Sequence, residues 1–143
     1  MKSIFEDKFM ELQSGLIMLC LEVTDKKVDK VYGYAYIDET STMFNAFFEV
    51  AGEIRTLNQL PVDRNTMFEF LKLGTDDLSQ VRELCREYGM KCPVEMKMYY
   101  NVTSGKYSAD YRYEEASEEV TDMSPGEMFM EWMKDIKRQS ESR

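Results

Sequence analysis

Residues 94–114 read VEMKMYYNVTSGKYSADYRYE, and this stretch decides the fold. Val94, Met96, Met98 and Tyr100 alternate with Glu95, Lys97, Tyr99 and Asn101. After a turn over 102–106, Tyr107, Ala109, Tyr111 and Tyr113 alternate with Ser108, Asp110, Arg112 and Glu114. Successive side chains on a strand point to opposite faces, so each half has an apolar, aromatic face and a charged one. Two such runs joined by a short glycine-bearing turn predict an antiparallel hairpin. A register that sets Glu95 against Arg112 and Lys97 against Asp110 would pair opposite charges across the strands.

Working back along the chain, residues 31–37 alternate Tyr32, Tyr34 and Tyr36 with Val31, Gly33, Ala35 and Ile37. This is period two with aromatic and β-branched enrichment, hence a strand. A polar turn over 38–42 leads to a second strand, 43–50, with Phe44, Ala46, Phe48 and Val50 on one face. Ala51-Gly52 turns the chain into a short third strand over 53–57. A meander with connections this short implies antiparallel pairing.

Helical spacing frames the strands. Phe5, Phe9, Leu12, Leu16, Leu19 and Val23 recur every three or four residues over 3–22, with Ser3 as N-cap and Glu6 completing a capping box. Residues 24–27 break that helix. Residues 61–65 read as a loop and 66–73 as a helical turn. Thr75 then caps a second main helix, with Asp76 and Asp77 where the dipole favours anions. Leu78, Val81, Leu84, Cys85 and Tyr88 form its stripe, and Gly89 occupies the C′ position. An acidic run follows the hairpin: Glu114, Glu115, Glu118, Glu119 and Asp122. Ser124 caps a last helix with Pro125 first and Glu127 third, an apolar face of Phe129, Trp132, Met133 and Ile136, and a tail that frays beyond Gln139. The expectation is a single α+β domain over 1–143, ordered α-β-β-β-α-β-β-α, with helices packed on an antiparallel sheet.

The chemistry of the 143 residues is mostly exclusion. Asp and Glu number 27 against 18 Lys and Arg, a formal charge of −9, so the cationic surface that sheathes a nucleic-acid backbone is missing. There is no histidine. That removes Ser-His-Asp and Cys-His catalysis and histidine-bearing zinc sites. Neither common phosphate loop occurs. Cys20, Cys85 and Cys92 form no CxxC, the pattern of reduced thiols in a cytosolic protein. The longest apolar run, residues 16–21, is far too short for a bilayer, and the N-terminus has no apolar leader region. A soluble cytoplasmic protein is expected, with no membrane contact, no catalytic residue, no metal and no cofactor. The pairs Glu114-Glu115 and Glu118-Glu119 are poor metal ligands, since neighbours on a strand point apart. The tyrosines of residues 32–36 and 107–113 read as sheet packing or as the lining of a ligand groove. The 12 methionines read as core filler or as an adaptable binding surface.

An acidic domain bare of catalytic groups suits a binder, because its field speeds encounter with a basic partner. Its segment order also resembles a known family. Lys30-Val31-Tyr32-Gly33-Tyr34-Ala35-Tyr36, then Phe47-Phe48-Glu49 and Gly52-Glu53-Ile54, resemble the first sheet of the YezG-like immunity proteins. The stretch from Ser104 through Gly105-Lys106-Tyr107 to Asp110-Tyr111-Arg112-Tyr113-Glu114 is similar to that family's G-K-[FY]-x-x-[DN]-[FY]-x-Y-[DE] strand. The acidic run and the Trp132 helix follow in the family's order. Cys92-Pro93 stands where the family carries a tryptophan, and Gly74 breaks the region before the second helix. The resemblance spans about residues 5–138. It implies a non-enzymatic, cytoplasmic antitoxin that binds and neutralises a cognate secreted polymorphic toxin, with a basic nuclease domain as the partner. The contacts expected on that reading are Asp110, Glu114, Glu115, Glu118, Glu119 and Asp122, with Tyr111 and Tyr113 as aromatic anchors. Two other readings stand beside it: a small-ligand or regulatory domain lined by Tyr32, Tyr34 and Tyr36, and a carboxylate-dependent divalent-metal hydrolase.

Overall fold

A computed structural model describes residues 4–114 and 123–141. The alternating segments form β1 (Lys30–Ile37), β2 (Thr42–Val50), β3 (Glu53–Thr56), β4 (Glu95–Asn101) and β5 (Tyr107–Arg112). They make one antiparallel sheet in the order β3-β2-β1-β4-β5. The hairpin register is the one the charges predict: Glu95 lies opposite Arg112 and Lys97 opposite Asp110. β1 is the hinge between meander and hairpin, pairing with β2 on one side and β4 on the other. A central strand must be covered twice, and here Val31, Ala35 and Ile37 are buried on one face and Tyr32 and Tyr34 on the other.

The two faces receive different helices. α1 (Ile4–Val23) and α2 (Arg64–Glu87) cover Val31, Ala35, Phe44, Phe48, Met96 and Met98. α3 (Pro125–Glu141) covers the opposite face, where Phe129 and Trp132 pack on Tyr32, Tyr34 and Phe47. The Trp132 ring meets Phe47 at 4.9 Å, Tyr99 at 5.6 Å and Tyr32 at 6.0 Å, each close to edge-on. Edge-to-face contact sets the positive rim of one ring against the negative face of the next.

Local chemistry explains the helix ends. The Ser124 box is present: Glu127 N–H donates to Ser124 Oγ at 3.1 Å and Ser124 N–H to Glu127 Oε1 at 3.4 Å. α3 continues to Glu141, past the Gln139 position where fraying was expected, with Lys134–Glu131 and Arg138–Asp135 pairs at 3.5 Å along its exposed side. Gly89 is a C′ glycine at φ +63, with its N–H bonded to Arg86 O and that of Met90 to Cys85 O. The Ser3 cap expected for α1 lies outside the described residues. Along α1, Leu16, Ile17, Cys20 and Leu21 are buried while Phe5, Phe9, Leu12, Leu19 and Val23 are only partly so. The helix packs on both sheet and α2, so its covered arc is wider than one stripe.

One expectation is corrected. Thr75 does not start a helix; α2 begins at Arg64, and the Asp63 carboxylate caps it by accepting from Thr66 N–H at 2.8 Å. The Thr75 hydroxyl instead donates to Leu71 O at 2.8 Å within the helix. The 61–65 segment read as loop therefore contains the cap and the first helical residues. Gly74, which looks like a break, is a packing glycine: a Cβ there would stand within 3.0 Å of three Phe44 ring atoms.

Candidate protein-binding surface

Among the described residues β5 pairs with β4 alone, so it is an edge strand. Its alternation divides the expected contact residues. Asp110 is exposed on the α3 side, where it accepts from the Tyr99 hydroxyl at 3.1 Å. Tyr111 and Tyr113 lie on the α1 side with 38% and 42% of their surface exposed and their rings 6.4 Å apart. Glu114 is exposed just past the strand, and its carbonyl accepts from Arg112 Nη1 at 2.6 Å. Glu115, Glu118, Glu119 and Asp122 lie outside the described residues.

Phe9, read from the sequence only as part of the first helix's apolar stripe, and Gln13, which that reading passed over, hold Tyr111 in place. Phe9 of α1 packs on Tyr111, ring to ring at 6.0 Å. Gln13, one turn on and 1% exposed, bridges the strand: its Nε2 donates to the Tyr111 hydroxyl and its Oε1 accepts from that of Tyr107. A buried amide is tolerated only when its donors and acceptors are used, and this one is. The signal was legible. Phe9, Gln13, Ile17 and Leu21 fall four apart, a polar residue set into an apolar series.

On the α3 side the charged hairpin face is partly covered. Glu95, with a side chain 12% exposed, accepts from the Tyr34 hydroxyl at 2.5 Å and pairs with Arg112 at 3.4 Å and Lys97 at 3.9 Å. Lys97 Nζ also lies 5.8 Å from the Trp132 ring centre. Burial pushes the Tyr34 phenol far above its ordinary value, and donation to the Glu95 carboxylate pushes it further. The Tyr99 phenol is pushed up to about 12, by burial first and then by Asp110. Burial also raises Tyr107. All three hydroxyls are donors, Tyr34 to Glu95, Tyr99 to Asp110 and Tyr107 to Gln13.

Tyr32 and Tyr34 pack beneath α3, while Tyr36 reaches a groove of about 770 Å³ that Asp38, Arg82, Cys85, Cys92 and Met128 also line. A smaller hollow of about 360 Å³ lies between α3 and the hairpin, with Asp110, Arg112 and Asp135 on its walls. Among the described residues no three Cys, Asp or Glu side chains are gathered to hold a metal ion. No helix among them is long and apolar enough to cross a membrane. Compared with known proteins, the sequence matches no family model, and no curated protein matches it.

Proposed function

We propose that this chain is an immunity protein, a cytoplasmic antitoxin that binds a cognate toxin and neutralises it by contact alone, with a basic nuclease domain as the target. The observation that carries the reading is the aromatic pair Tyr111 and Tyr113 at the sheet edge, both exposed, with Tyr111 braced from behind by Phe9 and Gln13 and its ring 6.4 Å from that of Tyr113. Rings fixed before binding lose little conformational entropy on binding, the property of an anchor. Approach along the strand edge brings a partner against Tyr111 on one side and Asp110 on the other, so the alternation that divides the expected set still offers it to one ligand. The net charge of −9 complements a cationic nuclease surface. The small-ligand reading is less favoured, because Tyr32 and Tyr34 are spent on packing.

The test is capture of the tagged chain from its native lysate at moderate salt, with mass spectrometry of what stays bound. A stoichiometric toxin domain is expected. Recovery of no partner would overturn the proposal and move effort to a thermal-shift screen of small molecules. With the toxin in hand, Tyr113→Ala should weaken binding about thirtyfold, the scale of a hot spot of about 2 kcal/mol, mainly through the off-rate. Asp110→Lys should instead slow association and reduce its dependence on salt.

A further inference from the structure

Cys85 ends the buried stripe of α2, and Cys92 follows it across the turn that closes that helix. With Gly89 at φ +63 and Met90 N–H returning to Cys85 O at 2.8 Å, the chain doubles back on the last helical turn. Both thiols line the same groove of about 770 Å³, and each enters the other's ionisation. Cys85 is 1% exposed and Cys92 is partly open, so a reagent in the groove meets Cys92 first and Cys85 stands behind it. An accessible thiol backed by a buried neighbour is the arrangement of an attacking and a resolving cysteine.

We propose that Cys85 and Cys92 form a redox modification site, oxidised reversibly to an intramolecular disulfide by a small-molecule disulfide such as oxidised glutathione. Cys92 gives its proton to solvent and attacks one sulfur of the oxidant; the Cys92–sulfur bond forms, the oxidant's bond breaks, and one thiolate leaves and takes up a proton. Cys85 then loses its proton and attacks Cys92 sulfur, forming the internal bond and releasing the second small thiol. Two protein thiols give up two electrons and two protons, and one small disulfide becomes two small thiols. Excess thiol runs the sequence backwards. The bond would tie the C-terminus of α2 to the lead-in of β4 and fix one wall of the groove.

The surroundings set the rate. The titratable and charged residues that line the groove with the pair are Tyr36 of β1, Asp38 and Glu39 of the β1–β2 turn, Arg82 and Arg86 of α2 and Arg112 of β5, and Tyr113 interacts with both thiols from beyond that strand. Burial, then Cys85, pushes the Cys92 thiol up to about 12, and Arg82 opposes that only in part. Thiolate is therefore scarce at neutral pH, and exchange runs over hours and quickens about tenfold per pH unit. This site goes beyond toxin binding and does not depend on it.

The experiment incubates the reduced full chain with millimolar oxidised glutathione at mildly alkaline pH, quenches with acid, unfolds the chain so that the buried Cys20 and Cys85 are reachable, alkylates the remaining thiols and reads intact mass and linked peptides. Expected is a monomer whose mass, apart from one alkyl group on Cys20, is lower by two hydrogens, with Cys85 joined to Cys92 and a thermal midpoint about 5–10 °C higher that dithiothreitol reverses. Cys20→Ser should keep the bond, and Cys85→Ser should stall with glutathione held on Cys92. Native thiols that stay fully alkylated while the urea-unfolded chain forms the bond would overturn the proposal. So would a lasting mixed disulfide on the unaltered chain, or a bond that uses Cys20 or a second molecule.

Discussion

Gly74→Ala opposes two forces of known size. In the interior of α2 the exchange should stabilise, since alanine is about 1 kcal/mol better than glycine in a helix. The packing argues the reverse. Three Phe44 ring atoms lie within 3.0 Å of where the new methyl would stand, and Phe44 is 3% exposed and pressed on Phe70 at 5.4 Å. The ring cannot turn aside without displacing its neighbours, and overpacking a tight core costs about 1–3 kcal/mol. At the upper end of that range the net loss is about 2 kcal/mol, which would lower the urea midpoint by about 1 M. Gly15→Ala is the internal control. It lies on the neighbouring helix, and its Cβ would meet only Asp77 Oδ2 at an ordinary 3.8 Å, so the propensity gain of up to about 1 kcal/mol should survive. Urea unfolding followed by circular dichroism reads both. In the double variant Phe44→Leu, Gly74→Ala the costs should fail to add, with a favourable coupling of about 1 kcal/mol or more. If Gly74→Ala proves as stable as Gly15→Ala, the close approach of β2 to α2 is wrong.

Three further outcomes follow from the polar contacts. Gln13→Leu keeps the bulk but deprives the Tyr107 and Tyr111 hydroxyls of their partner, so chemical denaturation should show a loss of about 1–3 kcal/mol. Ser124→Ala removes the α3 cap, at about 1 kcal/mol and about 3 °C in thermal midpoint, with Trp132 fluorescence shifting to the red at lower temperature than in the unaltered chain. In alkali, Tyr99 holds its proton to about 12 when folded but only to about 10 when unfolded. Its contribution is thus complete below pH 10 and is lost as pH rises towards 12, with Tyr34 and Tyr107 acting in the same direction. Urea midpoints across that window should fall, and less steeply in Tyr99→Phe.

What could be read from the chain alone divides along physical lines. Period-two alternation exposed four of the five strands, the turn at Ala51-Gly52 pointed to the short β3, and charge complementarity suggested Glu95 opposite Arg112, because these are local consequences of the pleat and its turns. The capping box at Ser124 and the C′ glycine at Gly89 are short-range chemistry and were equally plain. α2 was misread where a distant contact overrides local preference. Gly74 and Thr75 look like a break and a cap until Phe44, thirty residues earlier in the chain, supplies the reason for a glycine. The candidate surface was half legible. Asp110 and Tyr111 lie on one strand with Tyr113 just past its end, but their division between two faces and the brace of Phe9 and Gln13 on Tyr111 depend on how α1 meets the sheet. That junction brings together residues almost a hundred positions apart.

The placement of α3 ties that surface to the core. With helices on one face only, Tyr32, Tyr34 and Phe47 would present an aromatic sheet to water, a large apolar exposure. Covering them lays α3 across the charged face of the hairpin, and burying charge is costly unless each group finds a partner. Glu95 resolves the conflict: one carboxylate receives the Tyr34 hydroxyl from beneath and Arg112 from the edge strand. Arg112 also holds the Glu114 carbonyl at the end of β5. On the opposite face Gln13 fastens Tyr107 and Tyr111 of the same strand to α1. β5 is therefore an edge by hydrogen bonding yet is anchored from both layers. A partner that docks along it meets side chains already ordered by folding, so the entropy that commonly weakens binding at a sheet edge has been lost before the encounter.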